Sequence, residues 1–104
     1  MAIRTATDEN FDRMIGTGLV LVDFWATWCG PCRMLAPVLE DLDKEFGDRL
    51  TVVKVNFDDY GELGNRYQVM SLPTMLLFKD GQQVETIIGY QSKKALQNLI
   101  DPHL

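Results

Sequence analysis

Residues Leu19 to Ala26 read LVLVDFWA, a run in which Asp23 is the one charged position. So short and so apolar a segment, rich in β-branched and aromatic side chains, is dry on both faces and specifies a strand in the middle of a sheet. A second run, Leu50 to Phe57 (LTVVKVNF), reads as another interior strand. Between them, Pro31 to Phe46 repeats apolar residues at Met34, Val38, Leu42 and Phe46, with Leu35 and Leu39 alongside. That spacing is one face of a helix. Pro37 lies inside it and removes the hydrogen bond to the carbonyl of Arg33, which predicts a kink. A strand, a helix and a strand in succession form a parallel pair joined by a crossover helix.

The flanking segments extend the pattern. Thr7-Asp8-Glu9 reads as an N-cap followed by acidic residues, with Phe11, Met14 and Ile15 as the buried stripe of a short helix that Gly16 ends. A loose helical stretch follows from about Gly61 to Tyr67. Thr74 to Lys79 and Val84 to Ile88 flank Asp80-Gly81, a signal for a tight hairpin. Ser92 caps a last helix whose face is Ala95, Leu96, Leu99 and Ile100 and which stops at Asp101-Pro102. Lys93 and Lys94 oppose the helix dipole in its first turn, and nothing in the sequence explains them. The expected order is β-α-β-α-β-α-β-β-α. It implies an α/β fold with a central mixed five-stranded sheet, parallel at first and ending in a hairpin, flanked by four helices on both faces.

The 104 residues suit one domain spanning residues 1–104, large enough to bury a core without a metal or a staple. A net charge of -5 disfavours nucleic acid or an anionic membrane surface as a partner. No apolar run approaches the roughly 18 residues of a membrane span. No signal-peptide core precedes Met1-Ala2-Ile3-Arg4, so the expected location is cytoplasmic.

The two cysteines, Cys29 and Cys32, are three positions apart. As a structural staple, so short a loop restricts the unfolded chain by only roughly 2 kcal/mol, against about 4.7 for a long one. A cytosolic compartment would also keep an ordinary pair reduced. A closed zinc site needs four ligands, and only Cys29, Cys32 and the remote His103 offer sulfur or nitrogen, so no metal is expected within one chain.

Trp28-Cys29-Gly30-Pro31-Cys32 sits where the apolar strand meets the helix. Pro31 suits the first helical turn, having no amide hydrogen to leave unsatisfied. Cys29 then faces free backbone N–H groups and the positive end of the dipole. Both favour a thiolate while leaving the sulfur exposed. Cys32, one turn in, is expected to be shielded and less acidic. Thiol–disulfide exchange follows: Cys29 attacks a substrate disulfide, and Cys32 displaces the mixed disulfide and leaves Cys29–Cys32 oxidised. C-x-x-C alone is shared with zinc sites; at a strand-to-helix junction with Pro at the first helical position it points to redox chemistry.

The stretch Phe24-Trp25-Ala26-Thr27-Trp28-Cys29-Gly30-Pro31-Cys32 resembles the active-site signature of the thioredoxin family. Pro37, Lys54, Leu72-Pro73-Thr74, Lys79-Asp80-Gly81 and Gly89 share the resemblance, which runs from about Ile3 to Leu104. It implies a thioredoxin fold and a protein-disulfide reductase that has no bound cofactor and is restored by a thioredoxin reductase. Implied targets are ribonucleotide reductase, methionine sulfoxide reductase and peroxiredoxins, and the implied state is a monomer. It further implies a cis peptide before Pro73, against the cysteine pair, and Asp23 buried behind Cys32 beside Lys54. By the same resemblance, Gly30, Pro31, Lys54 and Pro73 are expected to tune the redox pair. The resemblance also implies that Trp28, Gly30, Pro31, Leu72, Pro73 and Gly89 form an apolar docking surface, with substrate backbone pairing near Ser71-Leu72. Arg33 and Leu72 stand where many relatives carry Lys and Ile, which bears on target preference. No His separates the cysteines, unlike in the oxidising relatives.

Asp23 reads either as a strand-edge carboxylate in water or as a buried proton acceptor for Cys32. Lys54 reads as a solvated strand residue or as an electrostatic modulator of Asp23. Trp25 is expected in the core, Trp28 on the docking surface, Met70 and Met75 in packing, and His103 as an exposed terminal side chain. Two other functional classes compete with the reductase. One is a binding module that uses the apolar patch irrespective of redox state; the other is a metal or iron–sulfur carrier bridging two chains.

Overall fold

The alternation of dry strands and one-sided helices resolves into a mixed five-stranded sheet with strand order β1-β3-β2-β4-β5 in the computed structural model, which describes residues 3–104. The strands are β1 (Arg4–Thr5), β2 (Leu19–Trp25), β3 (Thr51–Asn56), β4 (Thr74–Lys79) and β5 (Gln82–Ile88). β1 and β2 both run parallel to β3, whereas β4 runs antiparallel to β2 and to β5. The strand with the driest sequence is therefore the central one. The helices are α1 (Phe11–Ile15), α2 (Gly30–Phe46), α3 (Gly61–Arg66) and α4 (Lys93–Ile100).

Alternation along β2 divides the core. Leu19 and Leu21 pack with Leu35, Leu39 and Leu42 of α2 and Leu96 and Ile100 of α4. Val20, Val22 and Phe24 pack on the other face with Phe11 and Ile15 of α1 and Leu63 of α3. By the same parity Asp23 points to the face that α2 and α4 cover. Its register partners are Lys54 on β3 and Met75 on β4.

Several local readings change. The α2 stripe is Cys32, Leu35, Leu39, Leu42 and Phe46; Met34 faces solvent, and Val38 packs only partly against the core. Pro31 to Phe46 carries more apolar residues than one stripe holds, so the pattern did not single out Met34. Pro37 lies inside α2 as expected, on its exposed side, where water can solvate the freed Arg33 carbonyl. α1 starts at Phe11, four residues beyond Thr7, and Asn10 is its N-cap residue. The bond there is the reverse of a Thr cap: the Asn10 Oδ1 accepts from the Thr7 N–H at 2.7 Å. Gly16 ends α1 in right-handed geometry, its N–H bonded to the Arg13 carbonyl.

The β4–β5 turn has both central residues at positive φ, Asp80 at 50° and Gly81 at 85°, as a two-residue hairpin requires. β5 begins at Gln82, two residues earlier than the sequence pattern suggested. Ser92 caps α4 through its Oγ, which accepts from the Ala95 N–H at 3.1 Å. Lys93, unexplained by its own helix, bonds Glu45 of α2 at 3.0 Å. His103 is held rather than free: its Nε2 lies 3.0 Å from the Glu85 carboxylate on β5.

Candidate active site

β2 ends at Trp25 and α2 begins at Gly30, so the chain between them turns at the edge of the core. Cys29 is the N-cap residue of α2, extended at φ -89° and ψ 109°, and Pro31 stands in the first turn. The Sγ of Cys29 accepts from the Cys32 backbone N–H at 3.2 Å. A sulfur thus occupies the position that an Asp or Ser oxygen takes in an ordinary N-cap. Free N–H groups and the helix dipole converge there, and a negative charge on that sulfur is stabilised by both. Cys29 and Cys32 are joined as a disulfide.

Both cysteines are only 4% exposed in this oxidised state. The expected contrast, Cys29 open and Cys32 shielded, is therefore absent at the level of whole residues. The difference between them lies in backbone position: Cys29 caps the helix and Cys32 is inside it.

Trp28 is 66% exposed, yet it is not loose. Its Nε1 donates to the Asp58 carboxylate, 3.0 Å to Oδ2 and 3.3 Å to Oδ1. The Asp58 N–H in turn bonds the Asn56 Oδ1 at 2.9 Å, so the end of β3 fixes the indole. Sequence reasoning missed Asp58, because a partner 30 residues away leaves no local signature.

Ala26, Cys29 and Cys32 form a small cluster against which Trp25 and Leu72 pack. The Leu72-Pro73 peptide bond is cis. The Ser71 carbonyl accepts from the Thr74 hydroxyl at 2.6 Å. Gly89 sits at φ 87°, a left-handed conformation that favours glycine, and its N–H bonds the Pro73 carbonyl at 2.8 Å. The fold thus brings Leu72 to the disulfide and Gly89 to Pro73. Beside Trp28, a cleft of about 120 Å³ is lined by Phe57, Val69, Met70, Ser71 and Leu72. Met75 is fully buried, but Met70 is 94% exposed, contrary to its expected packing role.

Asp23 is fully inside, which removes its reading as a solvated edge residue, and its Oδ1 has no hydrogen-bond partner among the described residues. Burial pushes its carboxyl up from 3.8 to about 7, because the charged form loses its hydration; Lys54 opposes the rise. The Lys54 ammonium lies 4.6 Å from the centre of the Trp25 ring, a cation–π contact that anchors it over the same face. Trp25 is only half-buried, and its Nε1 is a second buried polar atom without a partner among the described residues. Among the described residues, no group of three or more His, Cys, Asp or Glu side chains converges as a metal site.

Comparison with known proteins agrees with this geometry. The family model described as Thioredoxin matches residues 2–102. The chain belongs to the thioredoxin family. It is similar to a thioredoxin of Bacillus subtilis, 54% identical over 104 residues, and to one of Staphylococcus aureus, 46% identical over 104 residues; all of each chain is covered. With the family and the cysteine pair together, the chain is a thiol–disulfide oxidoreductase. The family implies that disulfides are its substrates and that a reductase restores its dithiol. No helix among the described residues is long and apolar enough to cross a membrane.

Proposed function

We propose that Cys29 is the attacking thiolate and Cys32 the resolving thiol in the reduction of protein disulfides, with the chain working as a monomeric single domain over residues 1–104. The observation that carries this order is the N-cap position of the Cys29 sulfur, bonded by the Cys32 N–H. In the dithiol state, the Cys29 thiolate attacks one sulfur of a substrate disulfide, and the other leaves as a thiolate that takes up a proton. Asp23 accepts the proton of Cys32. The Cys32 thiolate then attacks the Cys29 sulfur, the substrate's second thiolate leaves, and two electrons have passed to the substrate. A carboxyl near pKa 7 is balanced between its two forms at neutral pH, which suits a proton acceptor.

Trp28, Gly30, Pro31, Ser71, Leu72, Pro73 and Gly89 form the docking surface, with the substrate backbone pairing at Ser71-Leu72. Gly30, Pro31, Lys54 and Pro73 tune the pair. A carrier that must return to its dithiol suits a reducing compartment, so the cytoplasm is its place of action. A thioredoxin reductase restores it. Ribonucleotide reductase, methionine sulfoxide reductase and peroxiredoxins are its targets by family likeness.

The test is turnover of a protein disulfide such as that of insulin, with NADPH and a bacterial thioredoxin reductase. The wild-type chain should sustain turnover, and Cys29→Ser/Cys32→Ser should abolish it. A chain that never turns over insulin refutes the reading. So does a double variant as active as wild type, since that is the behaviour of a redox-independent binding module.

A further inference from the structure

Five of the six residues lining the cleft beside Trp28 are large and apolar or aromatic: Trp28 itself, Phe57, Val69, Met70 and Leu72. Among them Met70 is the extreme case, 94% exposed, so its thioether stands in open solvent at the lip of the cleft. The other described methionines make natural controls. Met75 is wholly buried and Met14 half-buried, whereas Met34 is 63% exposed on α2 and does not line the cleft. A methionine sulfur is oxidised in proportion to its access to the oxidant, and its sulfoxide is a polar group where an apolar one stood.

We propose that Met70 is an oxidative modification site that weakens docking at the cleft when a peroxide converts it to the sulfoxide. The sulfur lone pair attacks the peroxide O–O bond and takes one oxygen. The sulfur is oxidised by two electrons, and the other oxygen leaves as water. Cys29 and Cys32, already joined as a disulfide, are spared in the oxidised protein. A sulfoxide oxygen at the lip puts a strong hydrogen-bond acceptor where a docked chain would cover apolar surface, and its lost hydration is not replaced there. Oxidation of Met34, which is also exposed but lies outside the cleft, leaves the cleft as it was. The inference rests on the docking surface proposed above, because a cleft that nothing covers would not register the change.

The experiment treats the disulfide form with hydrogen peroxide, locates the added oxygen by peptide mass spectrometry, and then measures turnover of insulin and of a small aromatic disulfide. Met70 and Met34 should oxidise well before Met75. KM for insulin should rise roughly fivefold, equivalent to about 1 kcal/mol of binding, with kcat and the small-disulfide rate unchanged. The Met70→Leu variant should show the same KM before and after peroxide, whatever its starting value, whereas Met34→Leu should lose affinity on oxidation as the wild type does. Met70 oxidising no faster than Met75, or its sulfoxide leaving KM unchanged, overturns the inference. Trp28→Ala separates the two failures. If it still raises the insulin KM, the docking surface stands and only the role of Met70 falls; if it does not, both fall.

Discussion

Replacing Asp23 by Asn keeps the shape of the side chain and removes its ionisation. The carboxyl is buried in the central strand, has one oxygen without a partner among the described residues, and is pushed up from 3.8 to about 7, first by desolvation and against the pull of Lys54. Between those two values the native chain holds a proton that the unfolded chain has released. Stability therefore falls as pH rises through that window, and the full penalty is present above about pH 7. At 1.36 kcal/mol per tenfold change in proton affinity, the penalty at pH 8 is roughly 4 kcal/mol. At pH 4 it has shrunk to about half a kcal/mol, because the unfolded carboxyl is then only a little more than half ionised while the native one keeps its proton. Asp23→Asn should accordingly be more stable than wild type by roughly 4 kcal/mol at pH 8, a rise of about 2 M in the urea midpoint for a slope of about 2 kcal/mol/M. The two proteins should nearly coincide at pH 4. Stopped-flow single-turnover kinetics complete the assay. Attack by Cys29 should be spared, and resolution by Cys32 slowed on the order of 10²-fold for loss of a general base. A variant less stable than wild type at pH 8, with unchanged kinetics, would refute the reasoning and make Asp23 an ordinary structural carboxylate.

Two further perturbations probe the surroundings of the pair. Lys54→Met removes the positive charge that lowers the Asp23 pKa, so the pH midpoint of the resolving step should move upward; an unmoved midpoint would show that Lys54 does not act through Asp23. Gly64→Ala puts a methyl group into the Phe57 ring, which lines the cleft beside Trp28. It should cost about 1–3 kcal/mol in urea melts and raise KM for insulin without slowing a small disulfide. Equal effects on the two substrates would place Phe57 outside docking.

What the sequence discloses and what it hides divide along a physical line. β2 was legible because a strand covered on both faces leaves a local mark, a run apolar but for Asp23, and β3 because its buried Val52, Val53 and Val55 form a β-branched cluster. The parity of β2 that turns Asp23 toward α2 follows from the same alternation. The Cys29 N-cap was legible too, since Pro31 marks a first helical turn and fixes what precedes it. Pairings between distant segments left no such mark. Asp58 holds Trp28, Glu45 answers Lys93, and Glu85 binds His103, each through contacts that form only once the sheet and helices have assembled. Met34 and Met70 were misjudged for another reason: hydrophobicity alone does not distinguish a core side chain from one that an excess of apolar residues leaves on the surface. Both lie near ordinary core positions, Leu35 and Val69, and only the geometry separates them.

The division of labour between the two cysteines is tested most directly by trapping the mixed disulfide. Cys32→Ser and Cys29→Ser proteins, both reduced, are each incubated with a disulfide-containing protein such as insulin, alkylated, and resolved by non-reducing electrophoresis and mass spectrometry. If the α2 N-terminus makes Cys29 the nucleophile, Cys32→Ser accumulates a covalent adduct joined through Cys29, and Cys29→Ser accumulates none. An adduct through Cys32 in the Cys29→Ser protein at a comparable rate, or no adduct in either, would contradict the assignment.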